Sequence, residues 1–186
     1  RETESWGELA LTVVYAGLIA LFIRTFLFQP FNIPSGSMEN TLLVGDYLFV
    51  EKFVYGYSRY SLPLGGWPLG QYFPGRIFAH EPRRGDVVVF KFPGDNSTDF
   101  IKRVIGLPGD RIQMIDDVLY LNGKPVPRVQ IAPYVGNLDG EDGYWTRYRE
   151  TLPGGKRHVV LDKKTDGPND HTGVFNVQSG HSFMMC

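Results

Sequence analysis

Residues 84–110 read RGDVVVFKFPGDNSTDFIKRVIGLPGD, and this stretch decides the fold class. Val87–Phe92 and Phe100–Ile105 are short runs of β-branched and aromatic residues, closed by Pro93-Gly94 and by Gly106-Leu107-Pro108-Gly109. Runs of this length between turn residues read as β-strands. The pattern continues outward. Arg111–Ile115 and Val118–Leu121 are strands divided by Asp116-Asp117, and Asn122-Gly123 is a strong hairpin signal. On the N-terminal side, Leu42–Val44 and Tyr47–Val54 read as strands split by Gly45-Asp46. The predicted fold is mainly β.

Composition agrees and narrows the function. The 22 Gly and 13 Pro suit a turn-rich β protein, and 42% hydrophobic residues exclude a disordered chain. Nineteen Lys+Arg against 20 Asp+Glu leave no basic excess to hold a phosphate backbone, which disfavours nucleic-acid binding. The one cysteine, Cys186, excludes an internal disulfide and a cysteine-cluster metal site. Residues 56–82 form a long Gly-, Pro- and aromatic-rich stretch that suits either a membrane interface or a loop folded on its own core. From about Arg128 the chain turns more polar, marking an insert or subdomain before apolar residues return at Val174-Phe175, with 181–186 read as a return to the core. The chain begins at Arg1, stops behind Phe183-Met184-Met185, and reads as a fragment.

Leu9–Ile23 carries no charge, and apolar residues resume after Arg24 with Thr25–Phe28. Twenty such residues span about 30 Å, the thickness of a bilayer's hydrocarbon core. Residues 1–28 are therefore predicted as a membrane anchor, ended by Gln29-Pro30, with a β domain over 29–186. Orientation is not readable from charge, since Arg1 is offset by Glu2, Glu4 and Glu8.

Zinc-protease, Walker A, dinucleotide and G-x-S-x-G patterns are all absent. The four histidines stand in polar or turn-like settings and read as exposed residues without a role. Ile33-Pro34-Ser35-Gly36-Ser37-Met38 follows closely on the apolar helix, and its small residues let backbone N–H groups converge beside a serine hydroxyl. Without a histidine, a nucleophilic serine needs another base, and lysine is the usual substitute. An ordinary lysine amine is neutral in only about one molecule in 2,500 at pH 7, so the base must lie on an apolar, desolvating surface. Lys52, Lys91 and Lys102 all sit on predicted apolar strands, and periodicity does not choose among them.

Phe31–Met38 followed by Thr41–Asp46 closely resembles the serine motif of bacterial type I signal peptidases (leader peptidases). Arg84–Phe90 and Asp99–Asp110 resemble the next two blocks of that family, in the same order. The resemblance implies a signal-peptidase-like β domain of antiparallel sheets, with its catalytic core over 29–127 and the insert over 128–180. It implies Ser37 as nucleophile, Lys102 as general base, and an oxyanion hole made by the Ser35 hydroxyl and the Ser37 N–H. Shallow pockets for small residues are expected from Phe31, Ile33, Met38, Leu42, Leu48, Val89, Phe100 and Ile101. The substrates implied are signal peptides of exported preproteins, cut after a small-x-small site, with no metal or organic cofactor. The expected location is the bacterial cytoplasmic membrane, with the β domain on its outer, trans face. Nothing indicates an oligomeric state. Two departures stand out: Asn40 replaces a common proline, and the family's last Gly-Asp-Asn-Arg-Asp-Asn-Ser block is missing. The competing readings are a catalytically silent homologue that binds signal peptides, and a Ser–Lys self-cleaving repressor-type protease.

Overall fold

Trp6–Phe26 forms a 21-residue helix, α1, in the computed structural model of the chain, which describes residues 6–33, 36–38, 41–62, 72, 75–138, 141–162, 167 and 169–185. At 1.5 Å per residue α1 is about 31 Å long. Leu9, Leu11, Val13, Val14, Leu18 and Phe22 are all exposed, and Thr25 is the buried residue of the helix. A helix packed on a protein core buries one face. This one presents apolar side chains all round and is a candidate membrane span.

The helix ends at Phe26, before the predicted Gln29-Pro30 stop. The Phe26 carbonyl accepts a bond from Tyr57 Oη at 2.9 Å, and the Leu27 carbonyl accepts one from the Lys52 N–H at 3.0 Å. These bonds draw the chain out of the helix and into a strand.

Two compact units make up the chain, residues 1–31 with 47–81 and residues 32–46 with 82–186. Beyond α1, the first unit holds β1 (Phe28–Asn32) up to Phe31, paired with β2 (Tyr47–Glu51), and β3 (Tyr57–Ser58) paired with β4 (Arg76–Ile77). The predicted Tyr47–Val54 strand stops at Glu51, and Lys52–Tyr55 turns back. Gly56 lets β3 approach β4: a Cβ there would sit 2.5 Å from the Ile77 and Phe78 carbonyl oxygens.

Among the described residues, the second unit carries three antiparallel sheets. One orders β14 (Phe183–Met185), β6 (Asp99–Gly106) and β5 (Val87–Lys91). Another orders β13 (Phe175–Asn176), β7 (Arg111–Ile115), β8 (Val118–Leu121) and β9 (Lys124–Pro125). The last is β10 (Arg128–Leu138), β11 (Glu141–Thr151) and β12 (Arg157–Asp162). The predicted hairpin turn at 122–123 joins β8 to β9, and Asp116-Asp117, read as the break between two strands, turns β7 into β8; all four residues have positive φ. Leu42–Val44 is no strand, because the Thr41 and Leu42 N–H groups bond back to the Met38 carbonyl.

The core joins Ile105, Ile112, Leu119, Leu121, Val126, Leu152 and Val177. Gly106 sits in its tightest part, where a Cβ would lie 2.3 Å from Ile112 Cδ1 and 2.9 Å from Phe183 Cβ. Leu152, from the β11–β12 turn, is 2% exposed, and its burial contributes about 2 kcal/mol. The neighbouring Lys156–Asp86 pair spans 2.6 Å, but the lysine is half-exposed, and such pairs contribute about 0–1 kcal/mol. Leu152 therefore anchors this turn.

His158 corrects the reading of the histidines as exposed. Its side chain is buried, with Nε2 3.3 Å from Glu150 Oε2. Glu150 and His158 face each other in the β11–β12 register, on the sheet face that also presents Arg128.

Asp110 ties the turns of this unit together. Its Oδ2 accepts bonds from Arg84 Nη2 at 2.8 Å and the Leu107 N–H at 2.7 Å, and its Oδ1 accepts one from Asn122 Nδ2 at 2.8 Å. Arg84 also donates to the Ile105 carbonyl. Burial pushes the Asp110 carboxyl up, but the bonds from Asn122, Leu107 and Arg84 outweigh it and hold the pKa below the usual value. A depressed carboxylate stabilises the fold above its unfolded pKa and loses that stabilisation as pH falls through the folded one. Asp110→Ala should cost about 3 kcal/mol by stranding Arg84, and chemical denaturation at pH 7 and pH 3 should show that penalty shrinking in acid.

Asp117 behaves oppositely. Burial, the hydrogen bond with Asp170 and the charge of Asp162 push it up to about 6, against the pull of Arg128. Its folded pKa lies above the unfolded value of about 3.9, so its contribution is full below about pH 4 and is lost as pH rises through 6. Asp117→Asn keeps a donor for Asp170. Thermal melts should show it raising the Tm at pH 8 and leaving the Tm unchanged at pH 4.

Candidate active site

A closed loop carries the serine segment. The Ile33 N–H bonds to the Asp46 carbonyl at 3.1 Å, and the Gly45 N–H returns to the Ile33 carbonyl at 3.0 Å. Asp46 completes the closure by accepting the Leu43 N–H on Oδ2 at 3.0 Å. Gly45 has φ +91°, a conformation costly for a residue with a Cβ. Within the loop, Gly36–Met38 form a single 3-10 turn. Ile33 and Met38 are buried, at 1% and 4% exposure, and so pin both sides of the turn. Ser35 and Asn40 lie outside the described residues; of Ser37, the backbone is described.

Strand β6 passes this turn, with Cα atoms of the two elements within 8 Å. Both belong to the second unit. Lys102 occupies the middle of β6, opposite Val88 of β5 and between buried Ile101 and Val104 nearby. Its Nζ lies 5.8 Å from the centroid of the Phe100 ring, two residues away on the same strand face.

The other two lysines are engaged differently. Lys91 Nζ is 2.9 Å from Asp99 Oδ1 and donates to the Ser97 carbonyl at 2.8 Å, so its ammonium is turned to these partners. Lys52 lies past the end of β2 in the first unit and donates to the Ser61 carbonyl at 2.7 Å. Burial and the nearby Arg24 charge lower the Lys52 pKa. A lowered pKa alone does not make a base; the lysine must also share a site with the nucleophile. Lys102 is the lysine whose strand runs beside the serine turn within one unit.

The expected pocket residues divide between the units. Ile33, Met38 and Ile101 are buried in the second unit, with Leu42, Val89 and Phe100 half-buried there. Val89 faces Ile101 in the β5–β6 register, so two of these apolar groups are direct cross-strand neighbours. Phe31 and Leu48 are half-buried residues of β1 and β2 in the first unit. Among the described residues, no group of three or more His, Cys, Asp or Glu side chains is placed to hold a metal ion.

Sequence reading placed Arg84-Gly85-Asp86 ahead of a strand but did not reveal that these residues fix β6. The Gly85 N–H bonds to the Val104 carbonyl at 2.6 Å, the Val104 N–H bonds to the Asp86 carbonyl at 2.8 Å, and Arg103 Nη1 donates to the Gly85 carbonyl at 2.9 Å. Arg84-Gly85-Asp86 thus sets the register in which Val88 meets Lys102. The available signal was Asp110, at the end of Gly-Leu-Pro-Gly-Asp. A carboxylate beside a tight turn commonly captures its free N–H groups.

Comparison with known proteins agrees with this architecture. The family model described as "Signal peptidase, peptidase S26" matches residues 6–186. Signal peptidase I of Rickettsia conorii is 47% identical over 190 aligned positions, covering 98% of this chain and 67% of that protein. Signal peptidase I of Rickettsia typhi is 45% identical over 175 positions, covering 90% and 64%. That of Rickettsia prowazekii is 43% identical over 189 positions, covering 98% and 68%. The chain spans about two thirds of the length of these curated relatives. With its apolar N-terminal helix, its antiparallel sheets and a match along nearly all its length, the chain belongs to the S26 signal peptidase family.

Proposed function

We propose that this chain is the membrane-anchored catalytic part of a serine endopeptidase that removes N-terminal signal peptides from exported preproteins. The observation that carries this reading is the Gly36–Met38 turn lying against β6, the strand of Lys102, inside one compact unit. In the reaction, Ser37 Oγ attacks the scissile carbonyl carbon while Lys102 Nζ, as general base, takes its proton. The developing oxyanion is met by the Ser37 N–H and the Ser35 hydroxyl. As the C–N bond breaks, Lys102 returns the proton to the leaving amine, freeing the mature protein and leaving the signal peptide as an ester on Ser37. Water then attacks that ester with Lys102 again as base, regenerating the serine. The chemistry is complete with these groups and requires no metal or organic cofactor.

Specificity for a small-x-small site follows from the apolar walls. Ile33, Met38, Leu42, Val89, Phe100 and Ile101, all in the second unit, are apolar groups suited to shallow pockets that take alanine-sized side chains. Bulky fixed walls reject larger side chains by overlap. α1 anchors the protein in the bacterial cytoplasmic membrane, with the β domain on the outer face, where exported chains emerge.

Cleavage of a preprotein bearing an Ala-x-Ala site, by the full chain in detergent, tests this. Ser37→Ala and Lys102→Ala should each reduce kcat by about 10⁴-fold or more, with membrane insertion unchanged. Robust processing by either variant overturns the assignment. Binding of the preprotein without turnover by the parent chain would instead identify a silent, peptide-binding homologue.

A further inference from the structure

The β11–β12 turn belongs to the stretch expected to be a non-catalytic insert, yet it reaches the corner that starts β5. Gly85 is buried with φ +85°, and a Cβ on it would fall 2.6 Å from Lys156 Cδ, 3.1 Å from Lys156 Cγ and 3.3 Å from Leu152 Cδ1. The lysine stem therefore lies directly on the glycine. Its ammonium then meets the next residue, with Nζ 2.6 Å from Asp86 Oδ1, while Asp86 Oδ2 accepts the Arg83 N–H at 3.0 Å. The Leu152 N–H bonds to the Lys156 carbonyl at 2.9 Å, so the lysine is held on a closed turn anchored in the core.

Gly85 and Asp86 are also the first bonding partners of β6, through Val104 and Arg103. Two residues along β5, Val88 faces Lys102. Lys156 is thus connected to the lysine strand by one salt bridge and one turn of backbone.

We propose that Lys156 is a positioning residue for the reaction. It holds the Gly85–Asp86 corner so that β5 and β6 present Lys102 at the correct reach. This inference rests on the reading of Lys102 as the general base. Leu152 already anchors the turn, so the half-exposed Lys156 is not needed to keep the hairpin in place. What its charge adds is control over Asp86.

The test is steady-state cleavage of an Ala-x-Ala peptide by the full chain in detergent, across a pH series, with melting temperatures alongside. Lys156→Ala and Asp86→Asn should each lower kcat about three- to tenfold with KM within about twofold, and should shift the midpoint of the rising pH limb. Lys156→Met, which keeps the stem on Gly85, should show the same loss in a well-folded protein. Lys156→Arg should recover most of the rate, and the Lys156→Ala/Asp86→Asn double variant should be no slower than the worse single one. An unchanged kcat and pH midpoint in Lys156→Met, whatever its Tm, overturns the inference while Ser37 and Lys102 keep their roles. Cleavage that persists in Ser37→Ala or Lys102→Ala, or no Ser37-dependent cleavage by the parent chain, overturns the dyad and this inference together.

Discussion

Asp110 is a carboxylate almost shut off from water, and it holds together segments that are far apart in the chain. Its two oxygens bind Arg84 ahead of β5, the Leu107 N–H in the β6–β7 turn, and Asn122 in the β8–β9 turn. A buried carboxylate is tolerable only when its oxygens are saturated with donors, and here the donors come from three different turns. Arg84 is similarly divided between Asp110 and the Ile105 carbonyl. The two side chains form a strut between the sheet that holds β5 and β6 and the sheet that holds β7 and β8. Gly106 then lets the core close, since no side chain fits between Ile112 and Phe183 at that point. The register of β6, and with it the placement of Lys102 opposite Val88, depends on this arrangement.

The first unit follows a different physical rule. Among the described residues α1 buries only Thr25, and its exposed apolar surface, long enough to cross a bilayer, makes it a candidate membrane span. What the fold adds is a defined helix end. The Phe26 and Leu27 carbonyls, which would otherwise lack intrahelical donors, are taken by Tyr57 and Lys52. Edge-to-face contacts of Phe26 with Tyr57 and of Phe28 with Phe53 continue the same attachment. The helix and its small β layer therefore form one compact unit.

Legibility in the sequence varied with the range of the interactions involved. The β7–β8 and β8–β9 hairpins were readable because Asp116-Asp117 and Asn122-Gly123 adopt positive φ locally. The β10–β12 sheet was not. Its strands mix Arg, Glu, Tyr and Gly, and their buried members include Thr146 and Glu150, polar residues that read as solvent-facing. Glu150 is buried because His158 lies across the ladder from it, a partner invisible until the register is known. Leu42–Val44 misled in the other direction, since its β-branched and apolar residues sit in a loop closed by Ile33, Gly45 and Asp46. In the site, the serine segment and the three lysines were visible as residues, while the corner at Gly85–Asp86 and its contact with Lys156 were not.

Sequence alone determines the membrane-length apolar helix, the mainly β class and the hairpin turns, because hydropathy, alternation and turn chemistry act over a few neighbouring residues. The order of the blocks 31–46, 84–90 and 99–110 marks the family by the same kind of local reading. Only the tertiary structure decides which lysine strand runs beside the Gly36–Met38 turn, since Lys52, Lys91 and Lys102 look alike to a strand pattern. Lys91 is drawn to Asp99 and Lys52 to the Ser61 carbonyl, whereas β6 carries Lys102 past the serine turn. Those outcomes depend on pairings between residues tens of positions apart, and burial raises the cost of any pairing left unmade.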